Sequence, residues 1–413
     1  MDELLLDSLA MWRESAGAGA AVGRVYSDGE RRGREEQLDG FLGVLEGEVQ
    51  RLPRTRAERV GARERITSAF VRFAEGALGF DGAQISLLLE GGFSAIGTEL
   101  GRAARRFDPG VSASDILQAS RNAWTACGLQ VLLGVPMGLT PSIFAYSMLY
   151  PYTDNYLDEP GGSREEKAGF NGRFGRRLSG EDVEAANGRE AAIWRLISLI
   201  EEEYSRADSP EVFASLLRIQ RAQEESLRLL RAGGDADVEA LVFEKGGASV
   251  LADGYLAAGR LTAEQARFVF SWGVLLQLAD DLQDVRQDCR DGVRTLFSEA
   301  AGRGTLDAVT SRTLQFAGLV MRRMREMAGP ECGALKDLME RSAASMVVRS
   351  VGEAAELYSP GYAAEMERRS PFGFSFLRAR RGARVTELFE AFLAGDEDEA
   401  AFPLLPGALM HRG

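Results

Sequence analysis

The sequence predicts an all-α protein. Apolar residues recur at helical spacing along nearly the whole chain, few segments alternate with period two, and glycine- and proline-bearing stretches separate the helical ones. With 45% hydrophobic and 27% charged residues over 413 positions, the chain can supply both a large core and a charged surface.

Residues 1–60 are the most polar and arginine-rich part and are expected to form an appended helical arm. Residues 61–413 are expected to form one helical domain, with its core at about 85–355 and a C-terminal tail at 356–413. Within it, "RITSAFVRFAEGAL" (65–78), "ISLLLEGGFSAIGTELGRAARRF" (85–107) and "SDILQASRNAWTACGLQVLLG" (114–134) read as helices. So do 140–158, 181–206, 210–232, 237–257, 263–289, 305–328, 333–356 and 383–395. Ser114 with Asp115, Ser209 with Pro210, and Thr262 with Gln265 have the composition of helix N-caps. Residues 158–180 and 290–305, rich in glycine and charge, are predicted loops.

Composition also excludes classes of function. A net charge of −13 speaks against general nucleic-acid binding, which needs a basic footprint. The three cysteines, Cys127, Cys289 and Cys332, have no zinc-site spacing, and an odd count suits a reducing compartment. The acidic start "MDELLLDSLAMW" lacks a signal peptide's basic region, and no apolar run approaches the roughly 18 residues of a membrane span. Cytoplasmic residence is the expectation. The one histidine, His411, is near the end, which argues against histidine-based triads and histidine metal sites.

Two acidic clusters remain to be explained. On a helix over 263–289, at about 100° per residue, Gln277, Asp280, Asp281, Asp284 and Asp288 share an arc of roughly 100°. Leu275, Leu278, Leu282 and Val285 occupy the adjacent arc, and Arg286 and Arg290 lie on another side. A solvated charged face normally carries partners of opposite sign three or four residues away. Asp280, Asp281 and Asp284 have only one another at those spacings. A divalent cation converts that repulsion into binding. Carboxylates without histidine or cysteine select a hard cation, and Mg²⁺ fits, since it also takes water and substrate phosphate as ligands. In "YPYTDNYLD" (150–158), Asp154 and Asp158 are four apart and share a helix face, again without a basic neighbour, and Pro151 should bend the helix just before them.

Together these motifs resemble those of class I terpenoid synthases and trans-isoprenyl diphosphate synthases. "LLQLADDLQD" is similar to the second motif of prenyl diphosphate synthases, F-Q-x-x-D-D-x-x-D, with Gln277, Asp280, Asp281 and Asp284 in the matching places. "EKGGASVLADGYLAAG" (244–259) resembles the preceding helix, whose lysine contacts diphosphate, and Lys245 takes that place. "DGVRTLF" (291–297) resembles the following loop, with Arg294 where lysine is commoner. "YPYTDNYLDEP" and "SREEKAGFNGRFGRRLSG" look like a bacterial branch of class I isoprenoid biosynthesis enzymes, and the likeness covers roughly residues 85–300.

The resemblance implies a class I terpenoid synthase-like helical bundle with a central cavity. It implies Mg²⁺ held by Asp154 and Asp158 from one side and Asp280, Asp281 and Asp284 from the other. The activity implied is ionisation of an allylic prenyl diphosphate, followed by cyclisation or condensation. Lys245, Gln277, Arg173, Arg176, Arg177 and Arg294 are candidate contacts to the diphosphate. Phe144, Tyr146, Phe243 and Trp272 are candidate cavity walls, and Gln220 and Gln223 candidate polar contacts. The usual G-K-R grip on isopentenyl diphosphate and the N-x-x-x-S-x-x-x-E motif of cyclases are both missing, and Asn155 replaces an aspartate. A chain-elongating or head-to-head prenyltransferase and a non-catalytic prenyl-diphosphate-binding protein therefore stay open. The expected partners are a prenyl diphosphate, possible homodimerisation and possible peripheral membrane contact, without nucleic acid or a transmembrane segment. The arginine- and phenylalanine-rich segment 368–384 reads as a surface segment or a lid.

Overall fold

A computed structural model gives the structure of the protein and describes residues 3–15, 23–158, 164–230, 236–380, 385–395 and 402. The described residues form eighteen α-helices joined by loops, with no strand. None of those helices is long and apolar enough to cross a membrane.

Two compact units share the chain. One comprises Met1–Ala10, Ala103–Gln277 and Met327–Pro330; the other comprises Met11–Arg102, Leu278–Glu326 and Glu331–Gly413.

The N-terminal helices are capped as their sequences dictate. α1 (Glu3–Glu14) buries Leu5, Leu9, Met11 and Trp12. α2 (Asp28–Arg51) and α3 (Arg56–Phe73) each begin with a capping box, Ser27 with Glu30 and Thr55 with Glu58. The two pack against each other, with the Phe41 ring stacked 5.3 Å from Phe73. Where the sequence predicts one helix over 85–107, the structure has α4 (Gly82–Leu89) and α5 (Phe93–Phe107). Gly91 and Gly92 make the break: a Cβ on Gly91 would lie 2.5 Å from the Leu87 carbonyl oxygen, and Gly92 has φ +92°.

α6 (Ala113–Leu133) is capped two residues earlier than expected, by Ser112, whose hydroxyl accepts from the Asp115 N–H at 3.0 Å. α7 (Pro141–Asp158) continues through Pro151. The predicted loop 158–180 contains a helix, α8 (Arg164–Leu178). Phe170, Phe174 and Leu178 recur every four residues and are buried, and the Phe170, Phe174 and Trp194 rings stack in sequence. That packing outweighs the poor helix propensity of Gly169, Gly172 and Gly175. α9 (Gly188–Glu203) starts later than predicted because Asn187 caps it, accepting from the Glu190 N–H. α10 (Pro210–Ser226) has Pro210 in its first turn, with no side-chain hydrogen bond from Ser209. α11 (Val238–Ala258) packs on α10 and α6. α12 (Ala263–Asp291) opens with the expected reciprocal Thr262–Gln265 bonds, 2.9 and 3.2 Å long. Its residues to Gln277 belong to the first unit and those from Leu278 to the second.

The predicted loop 290–305 holds a short helix, α13 (Leu296–Ala301), capped by Thr295. α14 (Asp307–Glu326) and α15 (Gly333–Glu353) pack together, and α16 (Pro360–Arg369) and α17 (Phe374–Ala379) pack on α15. α18 (Val385–Leu393) lies against α2. The expected surface or lid segment is built into its unit: Phe372 and Phe374 are buried, and Arg378 donates to the Gly352 carbonyl at 2.6 Å. Residues 381–384 of that segment lie outside the described residues.

Candidate functional site

Of the diphosphate-binding residues suggested by sequence, Gln277 and the segment that carries Lys245 lie where α11 crosses the first half of α12. The two backbones touch there. A Cβ on Gly273 would lie 2.3 Å from the Gly246 carbonyl oxygen, and one on Gly246 would lie 2.4 Å from Cβ of Gln277. Only glycine at both positions permits this approach. The crossing brings the Lys245 segment of α11 against Gln277, the first residue of the aspartate motif. Lys245 is half-buried and makes no hydrogen bond or ion pair with any described residue. One turn further along α11, Ser249 faces a cavity.

The cavity has a volume of about 50 Å³ and lies among α6, α7, α8, α10 and α11. Leu149, Phe174, Leu178, Leu216 and Ile219 form its apolar wall. Its polar groups come from Asn122, Tyr146, Thr153, Gln220, Gln223 and Ser249. Gln220 is 7% exposed and has no hydrogen-bond partner among the described residues, so its amide is available to whatever fills the space. Of the predicted wall residues, Tyr146 lines this cavity; Phe144, Phe243 and Trp272 are buried elsewhere in the unit's core. The volume holds a few water molecules. It is well below the several hundred Å³ typical of organic-ligand sites.

Behind the cavity is a polar group that the sequence did not single out. Asp253 is 1% exposed; its Oδ1 accepts from Nδ2 of Asn122 at 2.9 Å, and its Oδ2 has no partner. Burial pushes this carboxyl well above the ordinary aspartate range, and the single Asn122 bond does not offset it. Burial, reinforced by Asp253, likewise pushes the Tyr146 phenol up.

Three tyrosine hydroxyls pin α7. Tyr146 donates to the Ser249 carbonyl at 3.0 Å, Tyr152 to Asp108 at 2.6 Å, and Tyr156 to Glu190 at 3.0 Å. Asp154 and Asp158 lie on the last turns of this helix, and their side chains are outside the described residues. Glu190 is fully buried and accepts four hydrogen bonds: two from Arg173, at 3.0 and 2.5 Å, one from Tyr156 and one from the Ala186 N–H at 3.0 Å. Burial raises its carboxyl, but Arg173, Ala186 and Tyr156 together more than offset that and hold it below the usual glutamate range.

The other predicted phosphate-binding arginines are also held by carboxylates. Arg176 is exposed and pairs with Glu181, Arg177 pairs with Glu201, and Arg294 pairs with Glu299. Each carboxylate takes part of its arginine's donor fork and offsets the charge that a diphosphate would meet. Lys245 is the one among these predicted cations without a partner among the described residues.

The aspartates of the second motif lie on α12 within the other unit. Asp281 is 7% exposed, between buried Leu278, Leu282 and Val285; Asp284 is half-buried and Asp280 exposed. Among the described residues no three histidine, cysteine or acidic side chains converge on one point. The oxygen-only donors fit Mg²⁺, which needs one or two protein carboxylates and completes its shell with water and phosphate. Comparison of the chain with protein-family models, curated proteins and solved structures finds no match, so the functional reading rests on these residues and their surroundings.

Proposed function

We propose that the protein is a Mg²⁺-dependent enzyme of isoprenoid biosynthesis, with a class I terpenoid synthase-like bundle, that ionises an allylic prenyl diphosphate. The observation that supports this reading is the glycine crossing, which brings Gly246, the neighbour of Lys245, against Gln277 at the head of Gln277-x-x-Asp280-Asp281-x-x-Asp284, while Lys245 has no partner among the described residues. A lysine ammonium donates to diphosphate oxygens, and a glutamine amide orients them. Asp154, Asp158, Asp280, Asp281 and Asp284 would hold the metal. When bound, Mg²⁺ supplies Lewis-acid neutralisation of charge on the departing diphosphate. Leu149, Phe174, Leu216 and Ile219 shield the allylic cation from bulk water. The small cavity volume requires these walls to separate when a prenyl chain enters.

The test is pyrophosphate release from farnesyl and geranylgeranyl diphosphate with and without Mg²⁺. Release from one substrate alone supports cyclisation or elimination; release only with added isopentenyl diphosphate supports chain elongation. Asp281→Ala is expected to abolish release while leaving the helical circular-dichroism spectrum intact, and full turnover in that variant would falsify the metal-site assignment. Asn155 in the first motif favours a second reading, a non-catalytic prenyl-diphosphate-binding protein. Metal-dependent binding of farnesyl diphosphate without release supports that one.

A further inference from the structure

Tyr156 lies midway between Asp154 and Asp158 on α7. Its ring sits 4.3 Å from that of Phe170, which is fully buried. Its hydroxyl donates to Glu190 and accepts from Nδ2 of Asn187 at 3.0 Å. Glu190 is held in turn by the Arg173 fork and the Ala186 N–H. A carboxylate has about four acceptor sites, and here all four are used inside the protein. The set joins α7, α8 and α9, and every acceptor site of the Glu190 carboxylate is used within it.

Helix geometry ties this set to the acidic row. At about 100° per residue, positions 152 and 156 fall on one face of α7, and positions 154 and 158 on the opposite face. The pinned tyrosines Tyr152 and Tyr156 therefore fix the rotation of the helix end that carries the two aspartates. Pro151 makes such a fixture necessary, because its ring nitrogen cannot bond back to the preceding turn. From Tyr152 onward, side-chain anchors supply orientation that backbone continuity alone supplies less firmly.

We propose that Tyr156, Glu190 and Arg173 form a positioning clasp for the first acidic row, so that its affinity for a divalent cation depends on residues that never touch the cation. This rests on the function proposed above. It gives Arg173 a role in place of direct pyrophosphate contact, and makes Glu190 a positioning residue. Buried pairing of the kind that Arg173 makes with Glu190 is stable only while both partners remain, so the clasp is an all-or-none element.

The experiment uses the full chain and two readouts: Mn²⁺ binding by electron paramagnetic resonance, and the Mg²⁺ concentration giving half-maximal pyrophosphate release. Tyr156→Phe keeps the ring against Phe170 and removes only the hydroxyl. It is expected to weaken metal affinity about 5-fold or more, the lower range of coupling between linked sites. Release at saturating Mg²⁺ should stay near the wild-type rate. Glu190→Gln should do the same, and the double variant should be no worse than Glu190→Gln alone, because the two act through one bond. Tyr204→Phe, which removes a hydroxyl bond to the Leu256 carbonyl elsewhere in the unit, should leave metal affinity unchanged. Unchanged metal affinity in Tyr156→Phe, even with a lowered melting temperature, overturns the proposal and leaves the clasp as a fold element only. If wild type binds Mn²⁺ but releases no pyrophosphate, the catalytic reading fails while the Tyr156→Phe titration still decides the clasp. Wild type that binds no Mn²⁺ overturns both.

Discussion

At the scale of single residues, burial and pairing divide the acids into two groups with opposite pH behaviour. Asp253 is nearly inaccessible and has one hydrogen bond, so its neutral form is favoured in the folded protein. Its folded-state value lies above its unfolded one, and the stability it offers is present at low pH and lost as pH rises through the folded value. Asp253→Asn, which retains an acceptor for Asn122, should therefore raise the melting temperature at pH 8 clearly more than at pH 4. Equal gains at both would show that the folded protein holds Asp253 ionised. Glu48 behaves in the opposite sense. It is 1% exposed; the Arg65 fork, opposed by burial and aided by Arg51, holds it below the usual range. Glu48→Gln should destabilise by about 1–3 kcal/mol at pH 7, the cost of breaking bonds to a charged group whose arginine partners still reach water. Urea titration should show the difference shrinking as pH falls below about 4. Residue types were legible in the sequence where the signal was local: Lys245 and Gln277 were marked by the motifs around them. Asp253, Glu190 and Tyr156 were not, because their partners lie 131 and 34 positions away and no local pattern reports such pairs.

At the scale of elements, glycine is at the centre of two differences between the predicted helices and the observed ones. Gly91 and Gly92 divide a predicted helix, whereas Gly169, Gly172 and Gly175 sit inside one. The same residue type gives both outcomes because burial of Phe170, Phe174 and Leu178 decides one case and a backbone turn the other. The crossing of α11 and α12 makes a further demand. Gly273→Ala puts a methyl against the Gly246 backbone, which cannot turn aside as a side chain can. It should cost about 1–3 kcal/mol by overpacking. Gly128→Ala, on α6 with open space around its Cα, should instead add about 0.5–1 kcal/mol from helix propensity. Thermal melts of the two variants should move in opposite directions, and a common direction would mean that the crossing has slack.

At the scale of the whole molecule, the all-α class was legible because 3.6-residue periodicity is written along the chain. The two-unit division was not, because its boundaries after Ala10, Arg102 and Gln277 fall inside α1, α5 and α12, where no linker marks them, and only the segment Met327–Pro330 carries a glycine and a proline. The net charge of −13 makes the protein an acidic polyion with an isoelectric point near 4.9. Mg²⁺ held specifically should stabilise the fold by mass action, by about 2.7 kcal/mol at a hundredfold excess over its dissociation constant. Scanning calorimetry with Mg²⁺ and pyrophosphate, against NaCl at matched ionic strength, separates that from general screening. Equal shifts in both would remove the case for a specific cation site.

The contact between Gly246 and Gly273 also constrains how this protein can diversify. Two main chains already in touch leave no side-chain volume to trade, so that seam is closed to gradual change. Under the function proposed above, extra room for a longer hydrocarbon would come from positions such as Leu149, Phe174 and Leu216, one residue each from α7, α8 and α10. Those three positions are the natural dials for substrate length.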